Sequence, residues 1–205
     1  MTMIDLDSVD TVLATARSVR RKLDFERPVP KQLLLECIDL ATQAPTGLGG
    51  ESWRFLVVTD PEKKRALAGV YGAVLDELAG ARGLEVKPTQ RALVRRLHEI
   101  PAMILVCTVA EQPGVEIARQ VAFYGSVLPA AWSLMLALRA RGLGATWTTL
   151  LSSRQQEVSA ILGIPRSVVN TVMLPVGYTK GATLRRAERL AAEQVTFWDR
   201  WGADD

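Results

Sequence analysis

Apolar residues recur at helical spacing after Asp7 and Ser8, at Val9, Val12 and Leu13. That predicts a short first helix capped by one of those two polar residues. Pro28 and Pro30 then interrupt the chain. Leu33, Leu34, Cys37, Ile38 and Ala41 form the stripe of a second helix, opened by Pro30 and finished before Pro45. Trp53 to Asp60 is an apolar run of strand length closed by Asp-Pro, and Asp60 with Pro61 opens a helix over 61–79. A loop at 83–88 precedes a charged helix that reaches about Glu99. Ala102–Val109 is apolar except for Thr108 and reads as a buried strand. A long helix over 117–141 stops at Gly142. Strands follow at 145–150 and at 168–176, the second ended by Gly177, with a helix over 153–162 between them capped by Ser152 or Ser153. The tail, QVTFWDRWG, carries Trp198 and Trp201 in an exposed setting.

Helices come first, and strands separated by helices follow without strict alternation. This order predicts an α+β fold: one domain over 1–205 with a central sheet, mixed or mainly antiparallel, flanked by helices. Composition agrees. The chain has 205 residues, 48% hydrophobic and 23% charged, which suits one folded domain and excludes global disorder. A net charge of +3 suits a few locally bound anionic groups and argues against a nucleic-acid coat.

Two cysteines, Cys37 and Cys107, and one histidine, His98, leave no disulfide framework, no CxxC pair and a poor basis for a metal site or a Ser-His-Asp triad. The acidic start, MTMIDLDSVD, lacks a signal-peptide pattern, and the expected setting is cytoplasmic. Val121 to Leu138 is free of charge and 18 positions long, the lower bound for a membrane span. It holds Tyr124, Gly125, Ser126, Pro129 and Ser133, and Arg139 and Arg141 follow at once. It therefore reads as a helix buried in a core or a subunit interface, with no membrane partner.

Four segments carry candidate chemistry. In Arg17-Ser18-Val19-Arg20-Arg21, guanidinium groups flank a hydroxyl after a helix; they suit a phosphate, and equally a solvated basic helix end. Ala44-Pro45-Thr46-Gly47-Leu48-Gly49-Gly50 looks like a phosphate loop but follows a helix and opens a strand, the reverse of a dinucleotide fingerprint. It serves either a flat ligand approached by backbone or an ordinary turn. In Arg141-Gly142-Leu143-Gly144, a helix C-cap explains Gly142 and leaves Gly144 without a role. Leu174-Pro175-Val176-Gly177-Tyr178, with Arg185, Arg186 and Arg189 beyond it, reads alone as a strand end and a solvated basic loop. Carboxylates stand at no informative spacing for glycoside hydrolysis.

Taken together and in order, these segments resemble the nitroreductase family of FMN-dependent oxidoreductases, over about Val9 to Trp201. ARSVRRKLDFERPVP is similar to its Arg-Ser-x-Arg entry, APTGLGGESWRFLVVTD to its Ala-Pro-Ser/Thr-Gly segment, LPAAWSLMLALRARGLGATW to its long helix and Gly-Leu-Gly turn, and LPVGYTKG with Arg189 and FWDRWG to its C-terminal signature.

The resemblance implies an intertwined homodimer with FMN at the subunit seam. It implies NAD(P)H as co-substrate and an electron-poor acceptor, nitroaromatic or quinone, reduced by ping-pong hydride transfer at flavin N5. It places Arg17, Ser18, Val19 and Arg20 on the phosphate and ring, and Arg189 on the phosphate. Pro45, Thr46, Gly47 and Gly49 fall on a loop from the other subunit, Pro129 and Ala130 on the helix against the ring, and Gly142, Leu143 and Gly144 where a backbone N–H faces N5. No side-chain acid or base is demanded, because the flavin carries the chemistry. The pocket's lid falls in 61–100. Gly49 stands where family members commonly have Asn, and Glu51 where they often have Gln. The missing amide implies about 1 kcal/mol less hold on the ring edge, and Glu51 disfavours an anionic reduced ring. Flavin storage with little turnover, or a specialised dehydrogenating enzyme of the same fold, are the alternatives these departures raise.

Overall fold

The computed structural model describes residues 4–47 and 50–202. Helix α1, Leu6–Thr15, is capped by Asp5, whose carboxylate accepts from the Ser8 amide and hydroxyl. The cap thus lies earlier than Asp7 or Ser8. The two-residue strand β1, Leu23–Asp24, follows, then α2, Lys31–Ala41, and β2, Trp53–Val58. Helix α3, Pro61–Arg82, opens on the Asp60 carboxylate and Pro61 as expected, and Gly83 ends it at φ 58°. After α4, Pro88–Arg96, and a tight turn at Leu97–Glu99 comes β3, Ala102–Val109. The long α5, Ile117–Ala140, leads through Gly142, at φ 74°, into β4, Leu143–Ala145. A 3-10 segment, Leu150–Arg154, runs into α6, Gln155–Leu162, which has no side-chain cap at its start. The last strand is β5, Val168–Thr179.

The sheet order is β1-β5-β3-β2, with β4 also paired to β5, and every named ladder is antiparallel. This settles the mixed-or-antiparallel alternative. β5 is the hub: it pairs β3 over 168–176, β4 over 176–178 and β1 at 178–179. It runs straight through Gly177, which the sequence pattern takes as a strand end. A Cβ there would lie 3.2 Å from the Asp24 carbonyl oxygen, so the glycine admits a neighbouring backbone rather than stopping the strand.

Helices cover both faces of the sheet, which is why β3 is apolar at every position but Thr108. Met103, Leu105 and Cys107 join Leu67, Tyr71, Leu93 and Leu97 on one face. Ile104 and Val106 join Leu34, Cys37, Leu134 and Leu138 on the other. Period-two alternation persists, with both sides buried. Both cysteines are buried, and burial pushes the Cys107 thiol up to about 12. Residues 61–100 form α3, α4 and the turn after them, packed largely on the first of these clusters.

Helix α5 is long and apolar enough to cross a membrane by length and composition, yet 44% of its apolar window is buried inside the protein. Its C-terminal half, through Ala130, Ala131, Leu134 and Leu138, is core, whereas Ile117, Val121 and Tyr124 lie exposed near its start. The chain after β5 is mostly irregular and lies on the surface. It exposes Leu190, Phe197, Trp198 and Trp201, the last at 87%.

Candidate functional site

Beyond α1 the chain turns into Arg17-Ser18-Val19-Arg20. Val19 is buried and anchors this segment: its N–H donates to the Ala145 carbonyl at 2.9 Å, and its own carbonyl accepts from Thr146 Oγ1 at 2.7 Å. The Trp147 amide donates to Ser18 Oγ at 3.0 Å. Arg17, Ser18 and Arg20 are held partly exposed along one side of a cleft of about 830 Å³. The returning C-terminal segment brings Arg186 and Arg189 to the same cleft, and Trp132 of α5 completes its wall. No carboxylate lines it, and among the described residues none of these four guanidinium groups is in an ion pair. Four uncompensated cations around one opening are an anion site by simple electrostatics.

The cleft adjoins an apolar pocket of about 430 Å³, with which it shares Ser18 and Trp132. Leu128, Pro129, Met135 and Trp147 complete that pocket, and no ionisable side chain lines it. Through Leu128 the apolar pocket meets a third, polar hollow lined by uncharged groups that include Gln112, Tyr124, Thr149 and Asn170. The trough therefore runs from cationic through apolar and aromatic to neutral and hydrogen-bonding. A ligand with an anionic tail and a planar, weakly polar body matches that sequence of surfaces, and FMN has this form.

Arg17, Ser18, Arg20 and Arg189 thus come together, and Pro129 lies next to them. Other sequence-expected contacts fall elsewhere. Val19 is a core side chain whose backbone groups are already bonded within the protein. Ala130 is fully buried with Ala44 and Trp53. Gly142 is exposed, and its carbonyl accepts from Thr179 N and Oγ1 at 3.0 and 3.1 Å. Leu143 and Gly144 are buried in β4, and Trp147, two residues beyond its end, lines the pocket. Pro45, Thr46 and Gly47 are exposed beyond α2, away from the cleft lining, and Gly49 lies outside the described residues. No residue of 61–100 lines the cleft or the apolar pocket. Trp132, Trp147 and Arg186 escaped the sequence reading as site residues. In the sequence nothing sets the two indoles apart from packing or interface residues, and Arg186 belongs to a basic loop that reads as solvated.

Gly144 has a packing reason. A Cβ there would stand 2.8 Å from Leu23 Cδ2, 3.0 Å from Thr179 Cγ2 and 3.1 Å from Val19 Cβ. Gly144→Ala is therefore expected to destabilise the fold by about 2 kcal/mol through overpacking. A thermal melt should show this as a drop of roughly 4–8 °C in Tm.

A sequence model of the Nitroreductase family matches residues 13–178. The chain belongs to the nitroreductase family. It is 29% identical over 208 residues to a protein named NADH dehydrogenase from Thermus thermophilus, covering 92% of this chain and 94% of that one. It is 31% identical over 171 residues to iodotyrosine deiodinase from Thermotoga neapolitana, covering 81% and 86%. The fold matches that of an oxidised iodotyrosine deiodinase bound to FMN and 3-iodo-L-tyrosine, with TM-score 0.69, 22% identity and coverage of 95% and 98%. Nitroreductase relatives thus carry names for more than one reaction, and FMN is bound in the matched structure.

Proposed function

We propose that this nitroreductase-family chain is an FMN-dependent oxidoreductase that draws hydride from NAD(P)H and delivers it to an electron-poor acceptor, a nitroaromatic or a quinone, in alternating half-reactions at one site. The observation that carries this reading is the cleft of four unpaired guanidinium groups joined to an apolar pocket walled by two indoles. When bound, FMN supplies the centre that accepts and releases hydride.

The protein's residues bind and tune it. Arg17, Arg186 and Arg189 neutralise the phosphate. Ser18 Oγ already accepts from the Trp147 amide, so its own proton is left for the ligand. Arg20 stabilises negative charge that builds on the reduced ring. Leu128, Pro129, Met135 and Trp147 keep water from the reacting face.

A second copy of the chain completes the site. The exposed apolar start of α5 and the aromatic tail form the seam, and Pro45, Thr46 and Gly47 approach from the partner. The two buried thiols suit a reducing cytoplasm.

The purified protein should be yellow, or turn yellow with added FMN, and bleach when NADH or NADPH is added without oxygen. A colourless protein that FMN does not reconstitute overturns the proposal. Yellow protein that never bleaches with either nucleotide converts it to flavin storage. The 31% identity to a deiodinase favours an aryl halide as a further acceptor. In that case two electrons and a proton replace carbon–halogen by carbon–hydrogen, and halide leaves. Release of iodide from 3-iodotyrosine under dithionite tests this.

A further inference from the structure

The segment that carries Arg17, Ser18 and Arg20 belongs to no helix and to no named strand. Its position depends on three hydrogen bonds to the end of β4 and the residues just after it. One is backbone to backbone, Val19 N–H to the Ala145 carbonyl at 2.9 Å, and needs no particular side chain. The other two need a hydroxyl: Trp147 N–H donates to Ser18 Oγ at 3.0 Å, within the anion-binding turn itself, and the third bond comes from outside that turn. Thr146, 1% exposed, donates from Oγ1 to the Val19 carbonyl at 2.7 Å. Thr146 is itself tied to the hub strand, its N–H donating to the Pro175 carbonyl at 3.2 Å. Nothing lining the cleft or the apolar pocket is Thr146 itself.

We propose that Thr146 is a positioning residue that holds the anion-binding turn against β5, fixing Arg17, Ser18 and Arg20 through the carbonyl of Val19. This inference rests on the FMN reading above. Without the hydroxyl, the Val19 carbonyl is left buried without its side-chain donor, and the peptide between Ser18 and Arg20 turns to find another. The arginine end of the trough then loses its arrangement. The apolar pocket keeps most of its wall, because Leu128, Pro129, Trp132 and Met135 stand on α5 and only Ser18 and Trp147 come from the affected segments.

The consequence is selective. A ligand with a phosphate should suffer more than the same ligand without one. Apo-protein is titrated with FMN and with riboflavin, following flavin fluorescence, for the wild type, Thr146→Val, Thr146→Ser and Thr146→Ala. Thr146→Val is expected to weaken FMN about tenfold, the loss of one well-made buried hydrogen bond, and riboflavin by less than about threefold. Thr146→Ser, which restores the donor, should return FMN binding to the wild-type value.

Thr146→Ala repeats the test with a smaller side chain should the valine variant not fold. Equal weakening of both flavins overturns the proposal, because general loosening of the fold would act on both. Unchanged FMN affinity in Thr146→Val, or no rescue by serine, also overturns it. A wild-type protein that binds neither flavin removes the FMN reading instead, a result distinct from any of these.

Discussion

Arg17→Glu is expected to weaken FMN binding by about a hundredfold or more, the equivalent of roughly 3 kcal/mol. The substitution removes one charge-assisted contact, worth about 1.5–3 kcal/mol, and places a carboxylate beside a phosphate. It also changes the charge of a cleft that contains no acid of its own. Because Arg17 makes no ion pair among the described residues, the fold itself should hardly respond, and the melting temperature of the apo-protein should stay within about 2 °C, as for a surface substitution. Arg17→Lys keeps the charge but loses the planar fork, so a smaller loss of about tenfold is expected. Fluorescence titration at two salt concentrations reads both effects, since the electrostatic share falls as salt rises. Undiminished affinity in Arg17→Glu would show that the phosphate sits elsewhere.

Ending the chain after Gly181 is expected to abolish the proposed dimer and, with it, stable FMN binding. The removed stretch carries Arg186 and Arg189, half of the guanidinium groups in the cleft. It also carries Leu190, Phe197, Trp198 and Trp201, apolar side chains that the chain's own surface leaves uncovered. Burying such a residue contributes about 2 kcal/mol, which makes the tail a large part of any seam between copies. The sheet and both of its helical layers lie before the cut, so the truncated protein should keep its circular dichroism while light scattering reports a single subunit. A full-length chain that is already monomeric would sink the two-copy arrangement. A truncated chain that remains dimeric would move the seam to α5 alone.

Several features were legible in the sequence because one local cause dominates each. β3 reads as a buried strand because both of its faces are covered, which leaves Thr108, itself buried, as the one polar residue in the run. α3 reads correctly at its start because Asp60 and Pro61 act within a single turn. Arg17, Ser18, Arg20 and Arg189 read as a set through their resemblance to the family's segments, and the cleft brings them together.

The errors have the opposite character. β1 has two residues, and its existence rests on pairing with the far end of β5. The crowding at Gly144 is equally invisible in the sequence, since Val19 and Leu23 come from one distant stretch of chain and Thr179 from another. Trp132 sits in the uncharged stretch of α5, where an indole signals core, and only the third dimension reveals that it borders the arginines. Thr146 carries no pattern at all, since its partner carbonyl lies 127 residues away.

The hub position of β5 has a consequence for biosynthesis. The strand on which three others depend occupies 168–179 and follows all three of them, so it leaves the ribosome after them. Until it emerges, β2 and β3 can pair, but the other edge of β3 remains open along one of the most apolar stretches in the molecule. From Val109 to Val168 the nascent polypeptide therefore elongates with an adhesive rim awaiting its closing partner. Its yield in a cell should depend on translation speed and on chaperones that shield that rim.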